Sequence, residues 1–360
     1  MKVGIMTLFQ NYNYGAALQA YALQRVIRDS GYDVETIQYT RTAVDTNKRD
    51  YVGELFRGCG RRIIRIFLPP KQEFFFSNHS LVRKHLFDEF IGSQMKVSKI
   101  QYTKQDIVES NLIYDTFECG SDNIWNKNLY DSSFMLDFVS DDKRKIAYAP
   151  GMSTDSLTLA QRKLFIEPIS RIQYISCREK IGAIVLEKCM NVEVPVVCDP
   201  TLLISVEKWR EIEREPYYDL PEKYIFTYIC GRNQLTEKAV QDLQSKTGLP
   251  VIVIPDMSEN YNFKCDKYDY LSDIGPAEFL YLVDHSTFVV TDSFHGTVFS
   301  CLFKKEFFSF DRFFGKYTVH LNQRIYNLLN VLNISSDRII REENIKGTSK
   351  NSSNTWVFMI

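Results

Sequence analysis

Strand, glycine-bearing turn, helix and strand open the chain in that order. The alternation then runs twice, on either side of one polar stretch carrying Pro216 and Pro221. These two observations predict an α/β protein with two Rossmann-like domains facing a cleft, in which ligands bind beyond the carboxyl ends of the strands. A third observation gives the cleft its chemistry. The β-branched run ending at Thr291 passes directly into Asp292-Ser293-Phe294-His295-Gly296-Thr297, after which apolar residues resume at helical spacing. The first N–H groups of such a helix lack partners and carry the positive end of its dipole. They form either a plain cap or a seat for phosphate or carboxylate. A histidine in that turn can exchange a proton near neutral pH.

The elements follow in order. Lys2–Leu8 is a strand, Asn11-Tyr12-Asn13-Tyr14-Gly15 a tight turn, Ala16–Ser30 a helix stopped by Gly31, and Val34–Tyr39 the next strand. Residues 41–103 break the rhythm and read as an irregular insertion. Alternation resumes with strands Leu112–Cys119 and Arg144–Ala149, helix Ala160–Ser170, strand Ile172–Ser176, helix Ile181–Cys189 and strand Val194–Cys198. The second set runs through strand Tyr224–Cys230, helix Leu235–Lys246, strand Val251–Ile254, helix Pro276–His285, strand Thr287–Thr291, strand Phe307–Phe310 and helix Gln323–Asn330. The expected division is a first domain over 1–207, a linker over 208–222, a second domain over 223–345 and a polar tail over 346–360.

Composition narrows the function classes. A net charge of -1, with 25% charged residues, supplies no global field toward nucleic acid. The 14% aromatic content suits carbohydrate stacking and core packing alike. The eight cysteines are scattered without metal-like spacing, which fits small core residues in a reducing cytoplasm. Met1–Phe9 reads as a strand rather than a secretory signal, and no apolar run approaches the roughly 20 residues of a membrane span. Residues 53–71 combine Arg57, Arg61, Arg62, Arg65 and Lys71 with an apolar face. That pattern describes either a helix packed on its own domain or one lying on the inner face of an anionic membrane.

Several turn motifs then occur in one order: Asn13-Tyr14-Gly15-Ala16-Ala17-Leu18-Gln19-Ala20-Tyr21-Ala22-Leu23, Gly120-Ser121-Asp122-Asn123-Ile124-Trp125-Asn126, Ser176-Cys177-Arg178-Glu179, Asp199-Pro200-Thr201-Leu202-Leu203, Asp273-Ile274-Gly275-Pro276-Ala277-Glu278-Phe279-Leu280, Thr291 to Thr297, and Asn322-Gln323-Arg324-Ile325. Each is weak alone; the ordered set covers most of the chain and resembles the polysaccharide pyruvyl transferase family. The resemblance implies two Rossmann-like domains of the GT-B type. It also implies transfer of pyruvate from phosphoenolpyruvate to two hydroxyls of one sugar, as a cyclic ketal, in capsule, exopolysaccharide or a lipid-linked oligosaccharide precursor. One departure stands out. Some relatives carry an arginine two residues before the equivalent of His295, where this chain has Ser293, so that cation must come from elsewhere.

Ketal formation requires protonation of the enol carbon, deprotonation of a sugar hydroxyl and cations for a carboxylate and a phosphate. It demands no redox cofactor and no obligatory metal. His295 is the candidate acid/base, and Asp122 the candidate acceptor-side base. Arg178 and Arg324 are candidate anion ligands, with Ser293, Gly296 and Thr297 around the same helix terminus. Asn13 and Gly15 are expected to frame the acceptor side, although Gly15 also suits a turn. Trp125 either stacks on a pyranose face or packs in the core. Asp199 and Asp292 are expected to orient backbone. The competing functions are a GT-B glycosyltransferase using a nucleotide sugar and a non-catalytic glycan-binding or assembly protein.

Overall fold

The computed structural model describes residues 1–41, 81–231, 234–254, 268–312 and 322–340. The basic 53–71 segment, His79, Lys316, His320 and the 346–360 tail lie outside the described residues.

Two six-stranded sheets, parallel at every paired strand, organise the chain. The first contains β1 (Lys2–Met6), β2 (Asp33–Tyr39), β3 (Val97–Tyr102), β4 (Thr116–Cys119), β5 (Arg144–Ala147) and β6 (Tyr174–Ile175), in the order β3-β2-β1-β4-β5-β6. The second contains β7 (Ile225–Tyr228), β8 (Val251–Ile254), β9 (Asp269–Tyr270), β10 (Phe288–Thr291), β11 (Glu306–Phe310) and β12 (Ile339–Ile340), in the order β12-β11-β10-β7-β8-β9. Read from its first strand, each sheet has the same doubly wound order. Each therefore has a switch point, between β1 and β4 and between β7 and β10, where connections leave to opposite sides and open a crevice. This is the two-domain α/β class expected from the sequence.

Nine α-helices lie among the described residues: α1 (Tyr14–Asp29), α2 (Leu81–Gln94), α3 (Leu159–Ile169), α4 (Lys180–Met190), α5 (Val206–Arg210), α6 (Gln234–Thr247), α7 (Pro276–Asp284), α8 (Phe294–Leu302) and α9 (Gln323–Val331). Their starts follow local chemistry. Asn13 caps α1 by accepting from the Ala16 N–H, Thr158 and Gln161 form a capping box on α3, and Ser293 caps α8.

Two sequence expectations are corrected. The end of the 41–103 insertion is regular: α2 and β3 add a helix and an edge strand to the first sheet. The strand expected at Val194–Cys198 is reduced to a single bridge between Cys177 and Val196. Pro195 has no N–H to donate, and Asp199 already turns the chain into the next 3-10 segment.

Helix α1 belongs to both halves. Its small residues Ala16, Ala17, Ala20 and Ala22 are buried, and one apolar cluster joins Tyr14, Leu18 and Tyr21 to Phe226, Phe279, Val298 and Phe299 of the second domain. Tyr14 stacks on Phe279 with ring centroids 4.7 Å apart, and its hydroxyl donates to the Ile274 carbonyl at 3.0 Å. Such aromatic pairs add about 0.5–1.5 kcal/mol beyond the area they bury. Outside this core Arg214 donates to Glu89 of α2 at 2.9 and 3.1 Å and also binds Glu278 of α7. Among the described residues no helix is long and apolar enough to cross a membrane, and six cysteines are free thiols.

Candidate functional site

The carboxyl ends of β1, β4, β7 and β10 converge on one cleft of about 1080 Å³. Its walls come from both domains: residues 7–13 and Asp122, Asn123 and Asn126 from the first, and Cys230, Ser293, Phe294, His295, Arg312 and Arg324 from the second. Both switch points thus open onto the same space.

His295 lies in the first turn of α8 and is 7% exposed. Its ring passes directly over Gly15 of α1: a Cβ built on Gly15 would fall 1.9 Å from His295 Nδ1. Gly15 does not sit in a turn and has no left-handed backbone. The sequence reading that a turn requires it gives way to a steric one, because only glycine admits the imidazole. On the ring's other side, His295 Nε2 lies 3.5 Å from Asp199 Oδ2. That distance is beyond a hydrogen bond, so this buried nitrogen has no hydrogen-bond partner among the described residues.

Asp199 is the hub. It is 1% exposed and accepts from the Thr201 N–H at 3.1 Å, the Thr201 hydroxyl at 2.8 Å, the Ser121 hydroxyl at 3.3 Å and Arg178 Nη1 at 3.0 Å. Burial works against its charge, but His295 and then Arg178 outweigh burial and hold the carboxyl well below the usual carboxylate range. Its expected role of orienting backbone is therefore only part of what it does. Asp292 does hold backbone, accepting from the Cys230 N–H at 2.6 Å.

Arg178 follows β6 and is 7% exposed. Besides Asp199 it meets Glu179 at 3.4 Å and Asp122 at 3.9 Å, and its guanidinium stands 4.7 Å over the Phe294 ring of the second domain, although Arg178 itself does not line the cleft. Burial opposes its charge, yet Glu179, Asp199 and Asp122 together raise its pKa above the ordinary arginine value. Gly151 makes room for it, since a Cβ there would lie 2.8 Å from Nη2. That Nη2 is buried and has no hydrogen-bond partner among the described residues.

Arg324, in the first turn of α9, stands 5.7 Å over the same Phe294 ring. Burial and the nearby Arg178 and Arg312 push its pKa down to about 10. An anion placed beside Arg324 would offset that penalty. Arg312, just past β11, was not recognised from the sequence. The available signal was its place two residues after Phe310, at the carboxyl end of a strand. Arg312 and Arg324 line the cleft together with Ser293.

The remaining expected residues divide clearly. Asp122 sits in left-handed backbone (φ 53), lines the cleft and keeps its carboxylate partly exposed. Asn13 lines the cleft beside it while capping α1. Ser293 lines the cleft but also caps α8, accepting from the Gly296 N–H at 3.3 Å. Gly296 and Thr297 are not brought to the cleft. Gly296 packs against Thr291, and the Thr297 hydroxyl is shared between the Ser293 carbonyl and Ser309. Trp125 is also excluded: it is fully buried, its indole donating to the Phe134 carbonyl at 2.9 Å. Glu213, Asp284 and His285 bring potential metal ligands within 4.8 Å of one another, but none lines the cleft and Asp284 is held by Arg210 at 2.6 and 3.1 Å.

A family model described as polysaccharide pyruvyl transferase matches residues 13–312. Among curated proteins no sequence matches the chain. Among solved structures, UDP-GlcNAc 2-epimerase from Methanocaldococcus jannaschii is similar over 92% of this chain and 93% of its own, with 11% identity and a TM-score of 0.47. The enzyme of that name from Neisseria meningitidis, bound to UDP-GlcNAc, is similar over 92% of each chain, with 12% identity and a TM-score of 0.47. Escherichia coli heptosyltransferase WaaC is similar over 92% of this chain and 100% of its own, with 10% identity and a TM-score of 0.38.

Proposed function

Because the chain belongs to the polysaccharide pyruvyl transferase family, we propose that it moves pyruvate from phosphoenolpyruvate onto two hydroxyls of one sugar. The product is a cyclic ketal on a surface polysaccharide or its lipid-linked precursor, made at the cytoplasmic side. The observation that carries this reading is one juxtaposition. His295, backed by Asp199, stands beside a group of arginines around Phe294, at the mouth shared by both switch points.

Each group has a role in this reading. Arg324 and Arg312, both on the cleft wall, take the carboxylate and phosphate of the donor, while Arg178 is held by Asp199 and Glu179. The start of α8 adds the positive end of its dipole. His295 delivers a proton to the enol carbon C3, which makes C2 electrophilic, and Asp199 steadies the imidazolium before transfer. Asp122 on the facing wall accepts the proton of the attacking hydroxyl as the C2–O bond forms. The C2–O bond to phosphate then breaks, and the second hydroxyl attacks C2 to close the ring. Of the two hydroxyl protons lost, one is balanced by the proton gained at C3 and the other leaves with phosphate.

The test is phosphate release from phosphoenolpyruvate across a panel of galactose-, glucose- and mannose-type acceptors, with His295→Ala as control. Acceptor-dependent release with a mass gain of pyruvate less water, lost in the variant, is the expected result. Absence of release with every acceptor, together with thermal stabilisation by a nucleotide sugar and none by phosphoenolpyruvate, would move the assignment to glycosyl transfer.

A further inference from the structure

We infer that Gln19 is a positioning residue: its side-chain amide serves as an extra rung between β1 and β4 where the two strands part, and so sets Asp122 on the acceptor-side wall. That Asp122 takes a proton there rests on the pyruvyl-transfer reading; the rung itself does not.

Gln19 lies in the second turn of α1 and is fully buried. An amide in such a place costs free energy unless its donors and its oxygen find partners. The partners are at the ends of two strands. The backbone ladder pairs Met6 of β1 with Cys119 of β4, and the Gly120 N–H donates to the Met6 carbonyl at 3.2 Å. Past this rung the two chains leave the ladder, and the side chain takes over. Gln19 Nε2 donates to the Leu8 carbonyl at 3.1 Å, two residues beyond Met6, and it also meets the Thr7 hydroxyl at 2.8 Å and the Ala16 carbonyl at 3.0 Å. Gln19 Oε1 accepts from the Ser121 N–H at 2.9 Å. The orientation of the amide follows from these partners, since its nitrogen faces carbonyls and its oxygen faces an N–H. It copies a peptide group, donating to one strand end and accepting from the other.

Both of the ends it joins reach the cleft. Thr7 and Leu8 line it on one side of the switch point, Asp122 and Asn123 on the other. Asp122 has left-handed backbone (φ 53), which a residue other than glycine keeps only when its surroundings hold it. Two bonds do so: the Ser121 N–H to Gln19 on one side, and on the other the Asp122 carbonyl, which accepts from the Gly151 N–H at 2.6 Å. The Ser121 hydroxyl is anchored separately, on the Ala149 carbonyl at 2.7 Å. Loss of the Gln19 amide therefore frees the Ser121 backbone and, with it, Asp122. Gln19 also lies one turn after Gly15, on the same face of α1. One helix face thus admits the His295 ring and sets the opposing carboxylate.

The experiment is a double-mutant cycle on acceptor-dependent phosphate release, read together with hydrogen exchange at the Ser121 amide. Gln19→Leu nearly keeps the volume and removes the amide. Its kcat should fall about 10²-fold, the scale of a displaced reacting group, while the Kd for phosphoenolpyruvate stays within about threefold of wild type because Arg312 and Arg324 belong to the other domain. In an Asp122→Asn background the same change should cost less than about threefold, since the group it positions is already lost. Exchange at Ser121 should quicken more than about tenfold in Gln19→Leu and stay slow in Gln19→Glu, which keeps an oxygen for that N–H. Gln19→Glu also covers the case in which the leucine variant does not fold. Its kcat relative to wild type should be highest at low pH, where a protonated carboxyl still donates to the Leu8 carbonyl, and should fall as pH rises. An equal loss in both backgrounds, a flat pH ratio for Gln19→Glu, or unchanged Ser121 exchange in a folded Gln19→Leu protein would each overturn the inference. If the wild type releases no phosphate with any acceptor, pyruvyl transfer fails, and Ser121 exchange alone decides the rung.

Discussion

Replacing Gly15 with alanine tests the site through a single methyl group. The added Cβ would lie 1.9 Å from His295 Nδ1, 2.4 Å from Cγ and 2.7 Å from Cε1, inside the 3.0 Å that real Cβ contacts do not cross. The ring must therefore retreat by about 1.1 Å, or α1 must shift by a similar distance against the aromatic core that fixes it. Because Gly15 already has ordinary helical backbone, alanine is locally favourable there, by roughly 0.5–1 kcal/mol. Stability and activity should thus separate. The melting temperature should stay within a few degrees of wild type, while kcat/KM should fall about 10²-fold, ~2.7 kcal/mol of transition-state stabilisation, the cost of a misplacement of this size. Phosphoenolpyruvate binding should survive, since Arg312 and Arg324 are not touched. The assay is acceptor-dependent phosphate release, with ligand-induced thermal shift as the binding control. A folded Gly15→Ala protein within about threefold of wild-type kcat/KM would refute the claim that His295 needs this contact.

Three further outcomes are expected. Asp199→Asn should lower kcat by about 10²–10⁴-fold, by releasing His295 and Arg178. The wild-type carboxyl is held low in the folded state, so its stabilisation is complete above the unfolded value near pH 4 and is lost only as pH falls through the folded value. The kcat deficit should therefore be flat between about pH 6 and 9, and a variant within threefold of wild type would refute the role. Arg324→Gln should weaken phosphoenolpyruvate binding about tenfold, ~1.4 kcal/mol, without lowering the melting temperature, because a cation crowded by Arg178 and Arg312 is removed; unchanged affinity by calorimetry would count against the anion site. Glu118 is held by burial up to about 7, so the folded state keeps a proton that the unfolded chain loses near 4.5. Stability from this group is present below pH 4.5 and declines as pH rises to 7, so Glu118→Gln should gain on wild type by up to about 3 kcal/mol at pH 8 and nothing at pH 4, and a pH-independent difference in urea unfolding would exclude it.

The strand–turn–helix units at Asn13–Ala16 and Asp292–Thr297 were legible because a β-branched run, a capping residue and a helical period meet there without interruption. The edge strands β9 and β12, two residues each, were not legible, since a period of two needs more residues to show itself. Trp125 shows a different limit. Its neighbours in sequence line the cleft while its indole turns inward to the Phe134 carbonyl, and nothing in the local pattern distinguishes the two directions. The roles of Gly15, Asp199 and Arg312 depend on partners far away in sequence, at His295, Arg178 and Arg324. Of these contacts, only those of Gly15 and Asp199 with His295 cross between the two domains and become visible once they are placed together.

That placement explains why the site can be built from two domains at all. His295 and Phe294 enter from the second domain, Asp199, Arg178 and Gly15 from the first, and the distances that matter lie between them. If the domains rocked freely, the 3.5 Å separation of His295 from Asp199 would exist only in passing. Tyr14, immediately before Gly15, stacks on Phe279 and bonds to the Ile274 carbonyl, so the residue contacting the imidazole is the neighbour of one locked into the second domain's core. Arg83 adds to the lock from α2, its guanidinium 4.8 Å over the Tyr14 ring. Opening the cleft at this end would expose Tyr14, Phe279 and Phe299 together, each carrying roughly 1.5–3 kcal/mol of burial. The start of α1 therefore holds the imidazole and fastens the domains with adjacent residues, which would give the proposed catalytic geometry without closure around a substrate.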